Sequence, residues 1–415
     1  MGAVARVIVA LWVREVARAL HATRRQVTAG IVVSTVLTVA LGAMLALVAA
    51  SQVTADIPHE LRATILRTSF GGAVLSVGAI AVALSLSAPQ RTALQNLLDL
   101  LPISRAAARL GQLLPILLVG FVYSVALSST GIFVLTRAAV TAAEAAAGIA
   151  TYLMLIAVAL VVAVSLFSLL QSATALLRLP TQYSAAVAGV LTLSTVLSLT
   201  IPDIFATLPV DPAQSSPADL FPHRAFAAAV ASPSVLRWAL VIAWIVTALA
   251  FAWAAAVGYR PEAKPRHYSF LRGTRPFGRT PFWGHVWVET LIAIRNPQYV
   301  MVVLITPVTI TVVWMASLNS STSIVATSLA GSLTVLPFML ALYAVGRTAR
   351  FEWIATIATA RPRLRIAPKA VAYFAVAIVL AVPAAAACVA LGLLPADALG
   401  STVLRCARAE CVWHE

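Results

Sequence analysis

Apolar residues run along the chain in nine blocks, at 27–50, 69–88, 112–136, 148–170, 183–201, 235–258, 299–317, 324–346 and 370–394. Each is about 19 to 25 residues long, enough at 1.5 Å per residue to cross a hydrocarbon core of about 30 Å. The polar positions fall between the blocks. Arg237, the one charge inside a block, stands at its end, where a long side chain reaches the interface. The pattern predicts nine transmembrane helices, and Pro307, Pro337 and Pro383 kink the last three, since neighbouring helices can satisfy the freed carbonyls.

The charges between the blocks orient the chain. With the N-terminus inside, 22 of the 29 basic residues and five of the 14 acidic ones fall on the inner side, giving +17 inside and −2 outside. That asymmetry obeys the positive-inside rule and predicts a cytoplasmic N-terminus and an external C-terminus.

Composition agrees. At 61% hydrophobic and 10% charged, the chain departs from a soluble globule, where about a quarter of residues are charged. A net charge of +15 raises the question of nucleic acid, but only Lys264 and Lys369 are lysines, and no basic segment is interleaved with aromatics in a polar domain. The basic loops of a membrane protein account for the charge, and no nucleic-acid partner is expected.

Chemistry within the membrane is sparse. The blocks hold no mid-depth ionisable group of the kind that relays ions in coupled carriers. They also lack the clustered His, Cys or acidic ligands that redox or hydrolytic work requires. Cys406 and Cys411, with His414 nearby, make a poor zinc site, and Cys388 lies in an apolar block. Arg6, Arg14, Glu15 and Arg18 interrupt any signal-peptide core, so no cleavable leader is expected. The chain is expected not to be an enzyme and to hold no metal or cofactor of its own.

Two segments recur. Ala10-Leu-Trp-Val-Arg-Glu-Val before the first block resembles His285-Val-Trp-Val-Glu-Thr-Leu before the seventh, with Trp12 over Trp287. Pro102, Arg105 and Arg109, between the second and third blocks, return as Pro362, Arg365 and Lys369 between the eighth and ninth, at an offset of 260. Upstream of Pro102, the positions Leu94, Leu97, Leu98 and Leu101 form an apolar stripe on a short helix, with Gln95 and Asp99 off it. Pro102 ends that helix, and Ser104 is placed to cap the next, which carries Arg105 and Arg109 on one face. A connector held at the headgroups by arginine has no need to be built twice, so the repeat favours a docking element. The segments before the first and seventh blocks read as amphipathic elbows in the interface, with Arg6, Arg14 and Arg18 toward water and a break at Asn296-Pro297.

An elbow, two spans, a Leu-Leu-x-Leu-Leu-Pro-Ile-Ser-Arg loop and further spans resemble the permease subunit of type-2 ATP-binding-cassette (ABC) exporters. The stretch 91–114 carries the likeness most strongly, and Arg295-Asn-Pro is similar to the start of the second half in duplicated members. The resemblance implies an all-α polytopic membrane protein with two repeated bundles. It divides the chain into an elbow (1–26), a first half of six spans (27–258), a basic cytoplasmic linker and second elbow (259–298), a partial second half of three spans (299–394) and a polar tail (395–415). It implies that ATPase-coupling loops contain Leu98, Asp99, Pro102, Arg105 and Arg109, and in the second half Glu352, Pro362, Arg365 and Lys369. It also implies a separate ABC ATPase, itself a dimer holding ATP and Mg, and export of an amphipathic drug, antibiotic or lipid across the plasma membrane, with antibiotic resistance as one outcome. The chain has no phosphate-binding loop, because neither lysine stands in Gly-Lys-Ser/Thr. It departs from the pattern in its second half, which lacks residues equivalent to 135–258 and suggests a shortened or frameshifted member.

Ser and Thr positions such as Thr192, Ser194, Thr195 and Ser198 suit either a lined path or ordinary helix packing, with packing favoured. The competing reading is a non-transporting scaffold or sensor that binds anionic lipid or a signalling partner through the basic loops.

Overall fold

A computed structural model describes residues 23–52, 59–87, 104–176, 181–204, 217–258, 280–295, 297–317 and 363–394, together with positions 10, 13 and 14. These residues form eleven α-helices and one 3₁₀ turn, with no strand among them. Seven helices are long and apolar enough to cross a membrane: α1 (Arg24–Gln52), α2 (His59–Ser87), α3 (Arg105–Leu127), α5 (Ala142–Leu176), α6 (Thr181–Ile204), α8 (Val235–Gly258) and α11 (Arg363–Ala390). The count becomes eight if α9 (Pro281–Arg295) and α10 (Pro297–Ser317), bent by 57° at the Asn296-Pro297 break, form one span. The described residues are therefore those of an all-helical protein, with helices long and apolar enough for a membrane protein. Of the nine expected blocks, the eighth, 324–346, lies outside the described residues, as does most of the first elbow.

The third expected block, 112–136, is two helices. Helix α3 stops at Leu127, the Ser128 amide bonds the carbonyls of Ser124 and Ala126, and a second helix, α4 (Ser129–Ala138), follows. The run Ser128-Ser-Thr-Gly131 explains the break, since hydroxyls compete for backbone groups and glycine is a poor helix former. Helix α5 is longer than its apolar block: 35 residues, about 52 Å, exceed a hydrocarbon core of about 30 Å.

The contacts divide the chain into two units, Met1–Pro265 and Arg266–Glu415. In the first, α2 and α5 form the centre. Phe70, Val77 and Ala81 of α2 pack with Leu155, Ile156 and Leu160 of α5, and Phe226 and Val241 join the same core. The Phe70 and Tyr152 rings meet edge to face at 5.1 Å, and the Tyr152 hydroxyl donates to the Ser128 carbonyl at 3.3 Å. Gly131 lets that phenol approach, because any Cβ there would collide with it. Small residues at such crossings supply the close packing that joins helices in lipid, where burial of apolar surface offers no advantage. Helix α1 carries Val33, Val36, Leu37 and Met44 on an exposed apolar face, and α8 does likewise with Val246, Leu249 and Trp253.

In the second unit α9 lies along α11. Ala293, Tyr299, Tyr373 and Ala377 form its core, with the two tyrosine rings 6.2 Å apart.

Candidate functional site

The described part of the expected coupling segments begins at Ser104. Its extended backbone and side chain, which accepts from the Ala107 amide at 3.3 Å, make it the N-cap of α3, as the sequence predicts. Arg105 opens the helix. One turn on, Arg109 folds back onto its own bundle, donating to Gln112 Oε1 at 3.0 Å and to Ser168 Oγ of α5 at 3.2 Å. In the second unit Arg365 lies in the first turn of α11. Lys369, the counterpart of Arg109, also turns inward and stands 4.0 Å from Glu289 of the elbow helix α9. Both copies of the pattern thus spend their last basic residue on an internal tie. Leu98, Asp99, Pro102, Glu352 and Pro362 lie outside the described residues.

The Ser and Thr positions of α6 do not form a single polar track. Thr192 is buried and Thr195 exposed, and each hydroxyl bonds the carbonyl one turn back, Ala188 and Leu191. Both follow the habit of helix hydroxyls that satisfy themselves locally.

A second constellation is absent from the sequence reading. Helix α6 runs past its expected end to Ile204, so Asp203, 4% exposed, sits in its last turn. Residues 217–220 form a 3₁₀ turn, and α7 (Pro222–Ala231) follows, with Pro222 at the start where its missing N–H costs nothing. Ten residues make a helix of about 15 Å, too short to cross a bilayer. One face of α7 is buried through His223, Ala225, Phe226, Ala227 and Ala229.

Asp203 gathers the start of α7. His223 Nε2 bonds its Oδ2, Arg224 Nε donates to the same oxygen at 2.7 Å, and an Arg224 Nη2 donates to Oδ1. Arg224 also stands 3.9 Å from Asp219, which Arg67 of α2 approaches at 3.3 Å. Two guanidinium groups and two carboxylates balance one another. This balance, with donors filling both Asp203 oxygens, is what allows charge to lie at 5% side-chain exposure. His223 is fully buried, and among the described residues its Nδ1 has no hydrogen-bond partner.

The depth of this cluster follows from helix register. Trp244 Nε1 donates to the Leu220 carbonyl at 2.8 Å. Trp244 is nine residues past the start of α8, about 13 Å along its axis. Arg67 is eight residues into α2, about 12 Å from its start. The 3₁₀ turn and the beginning of α7 are therefore inserted among the helix ends and do not lie across their tips.

The expectation of spans without ionisable groups thus needs correction at this end of the bundle. The sequence did carry a signal. Pro202-Asp203, Pro217-Ala-Asp219 and Pro222-His-Arg224 set charges beside prolines, the last two of which start helical segments, next to an alanine-rich run too short to span. Among the described residues no three His, Cys, Asp or Glu side chains group as metal ligands. No protein-family model matches the sequence, and no curated protein and no solved structure matches it.

Proposed function

We propose that the chain is the membrane permease of a type-2 ABC exporter, moving an amphipathic drug, antibiotic or lipid outward across the plasma membrane with ATP hydrolysed on a separate ATPase. The observation that carries this reading is the twice-built element Pro-x-x-Arg-x-x-x-basic, each time after an elbow and two apolar blocks. The capped start of α3 and the bent α9–α10 elbow are compatible with it. The lack of a phosphate-binding loop in the given sequence fits hydrolysis on a separate partner. On this reading the N-terminus and both Arg-bearing segments face the cytoplasm, and the Asp203 cluster faces outward. The chain is then a transport subunit and not itself an enzyme, with two bundles of six and three spans.

The test is purification of the tagged full chain from its native membranes. A polypeptide with a phosphate-binding loop, encoded beside this chain, is expected to co-purify. Arg105→Glu together with Arg365→Glu should cut its yield about tenfold, because charge reversal at a docking surface costs binding energy. Retention of that partner by the double reversal, or co-purification of none, sinks the proposal. The scaffold reading instead expects salt-sensitive binding to anionic vesicles without an ATPase.

Tags at the two termini check the topology separately. In intact cells an N-terminal tag should be shielded from antibody and a C-terminal tag exposed. A shielded C-terminus overturns the count of nine.

A further inference from the structure

We infer that the 3₁₀ turn and α7 form an external plug in the first unit, latched shut by the Asp203 carboxylate. The plug's start is inserted about 13 Å along α8, fixed there by the Trp244–Leu220 hydrogen bond. Its far end reaches α5, where a Cβ on Gly148 would lie 3.7 Å from both Val230 and Leu135. Between these ends α7 buries Phe226 and small alanines in the bundle core. Covalently it hangs between Ile204 of α6 and Val235 of α8.

The latch is polar and the seat is not, and that division makes the segment releasable. The packing of Phe226 and the alanines is apolar and non-directional, so the directional side-chain contacts of α7 are those of His223 and Arg224 on Asp203. Arg67 and Asp219 hold the turn just before it. All these groups sit on α2, α6 and the plug itself, so a shift of α6 against α2 would withdraw the carboxylate from both of its partners. Among the described residues His223 Nδ1 has no hydrogen-bond partner, and it lies in a fully buried ring, so the closed position leaves one polar atom unsatisfied there that opening would hydrate. That opening would admit passage of a compound rests on the permease reading above. The latch itself needs from that reading only that this end of the bundle faces outward.

Thiol accessibility tests it in the full chain. Cys388, Cys406 and Cys411 are replaced by serine, Ala225, 1% exposed on α7, by cysteine, and intact cells are treated with a membrane-impermeant sulfonated maleimide. Labelling should be slow with Asp203 present. It should accelerate about tenfold with Asp203→Asn, since the charged hydrogen bonds that hold the closed state are lost. Arg67→Gln, which removes a more exposed pair, is the milder companion should Asp203→Asn fail to reach the membrane, and should shift labelling in the same direction. Arg137→Gln, an exposed charge on neighbouring α4, should leave the rate as it is. Unaltered labelling in the latch variants overturns the inference, as does an equal rise with Arg137→Gln. The readout needs no transport. Faster labelling in a chain that never retains an ATPase would keep the latch and sink the permease, whereas a retained ATPase with unaltered labelling would do the reverse.

Discussion

Asp203→Asn is expected to destabilise the first unit by about 3–5 kcal/mol, the usual cost of removing one member of a buried ion pair. Asparagine nearly preserves shape, so the loss is chemical. A carboxylate accepts at both oxygens, whereas an amide accepts at one and donates at the other. Its NH₂ would therefore face an Arg224 N–H whichever way it turned, and in one orientation the His223 Nε2 as well. Arg224 would keep only Asp219 at 3.9 Å as a charge partner among the ion pairs here. The diagnostic is a double-mutant cycle with Arg224→Gln, read from thermal or chemical unfolding of the full chain in detergent. Once Asp203 is gone, removing the stranded guanidinium should cost far less than it does in the parent. A coupling of about 1.5–3 kcal/mol is expected, and additivity within about 0.5 kcal/mol would show that the network contributes nothing.

This network also marks the limit of what the sequence discloses. Span positions were legible because lipid demands some twenty apolar residues in a row, and that demand is written locally. Blocks 27–50, 183–201 and 235–258 fall within α1, α6 and α8 for that reason. The Ser104 cap was legible too, since a hydroxyl before a helical run acts on an amide three residues away. The Asp203 site is of another kind. Its partners stand 20 and 21 residues apart in sequence, and Arg67 enters from α2 on the far side of three spans. Charge counting sums Arg67, Asp203, Asp219 and Arg224 as separate charges between the blocks and leaves His223 out, which makes it blind to pairing. The break at Ser128 was missed for a simpler reason: Ser128-Ser-Thr-Gly131 is apolar enough on average to extend a block, although its hydroxyls and glycine work against one helix.

Lys369 supplies the second large effect, because its bond to the elbow is built less completely than the Asp203 network. Glu289 meets Lys369 at 4.0 Å through Oε1, while its buried Oε2 has no hydrogen-bond partner among the described residues. With side chains 18% and 15% exposed, the pair carries a desolvation cost that its geometry offsets only in part. Lys369→Met is therefore expected to destabilise the second unit by about 3 kcal/mol, since it leaves a half-satisfied carboxylate in a poorly hydrated site. Adding Glu289→Gln should restore the parent's stability or exceed it, because two neutral side chains of similar volume replace two imperfectly paired ions. The same double change separates stability from coupling. On the permease proposal, if Lys369 serves only to hold α11 against α9, the rescued protein should retain the proposed ATPase partner and the proposed export activity. If the tie carries force from the second Arg-bearing segment to the elbow, the rescued protein should melt like the parent yet export an ethidium probe more slowly. Melting temperature and efflux measured on the same two variants decide between these. Failure of the double change to recover stability would show that the pair is more completely satisfied than its geometry implies.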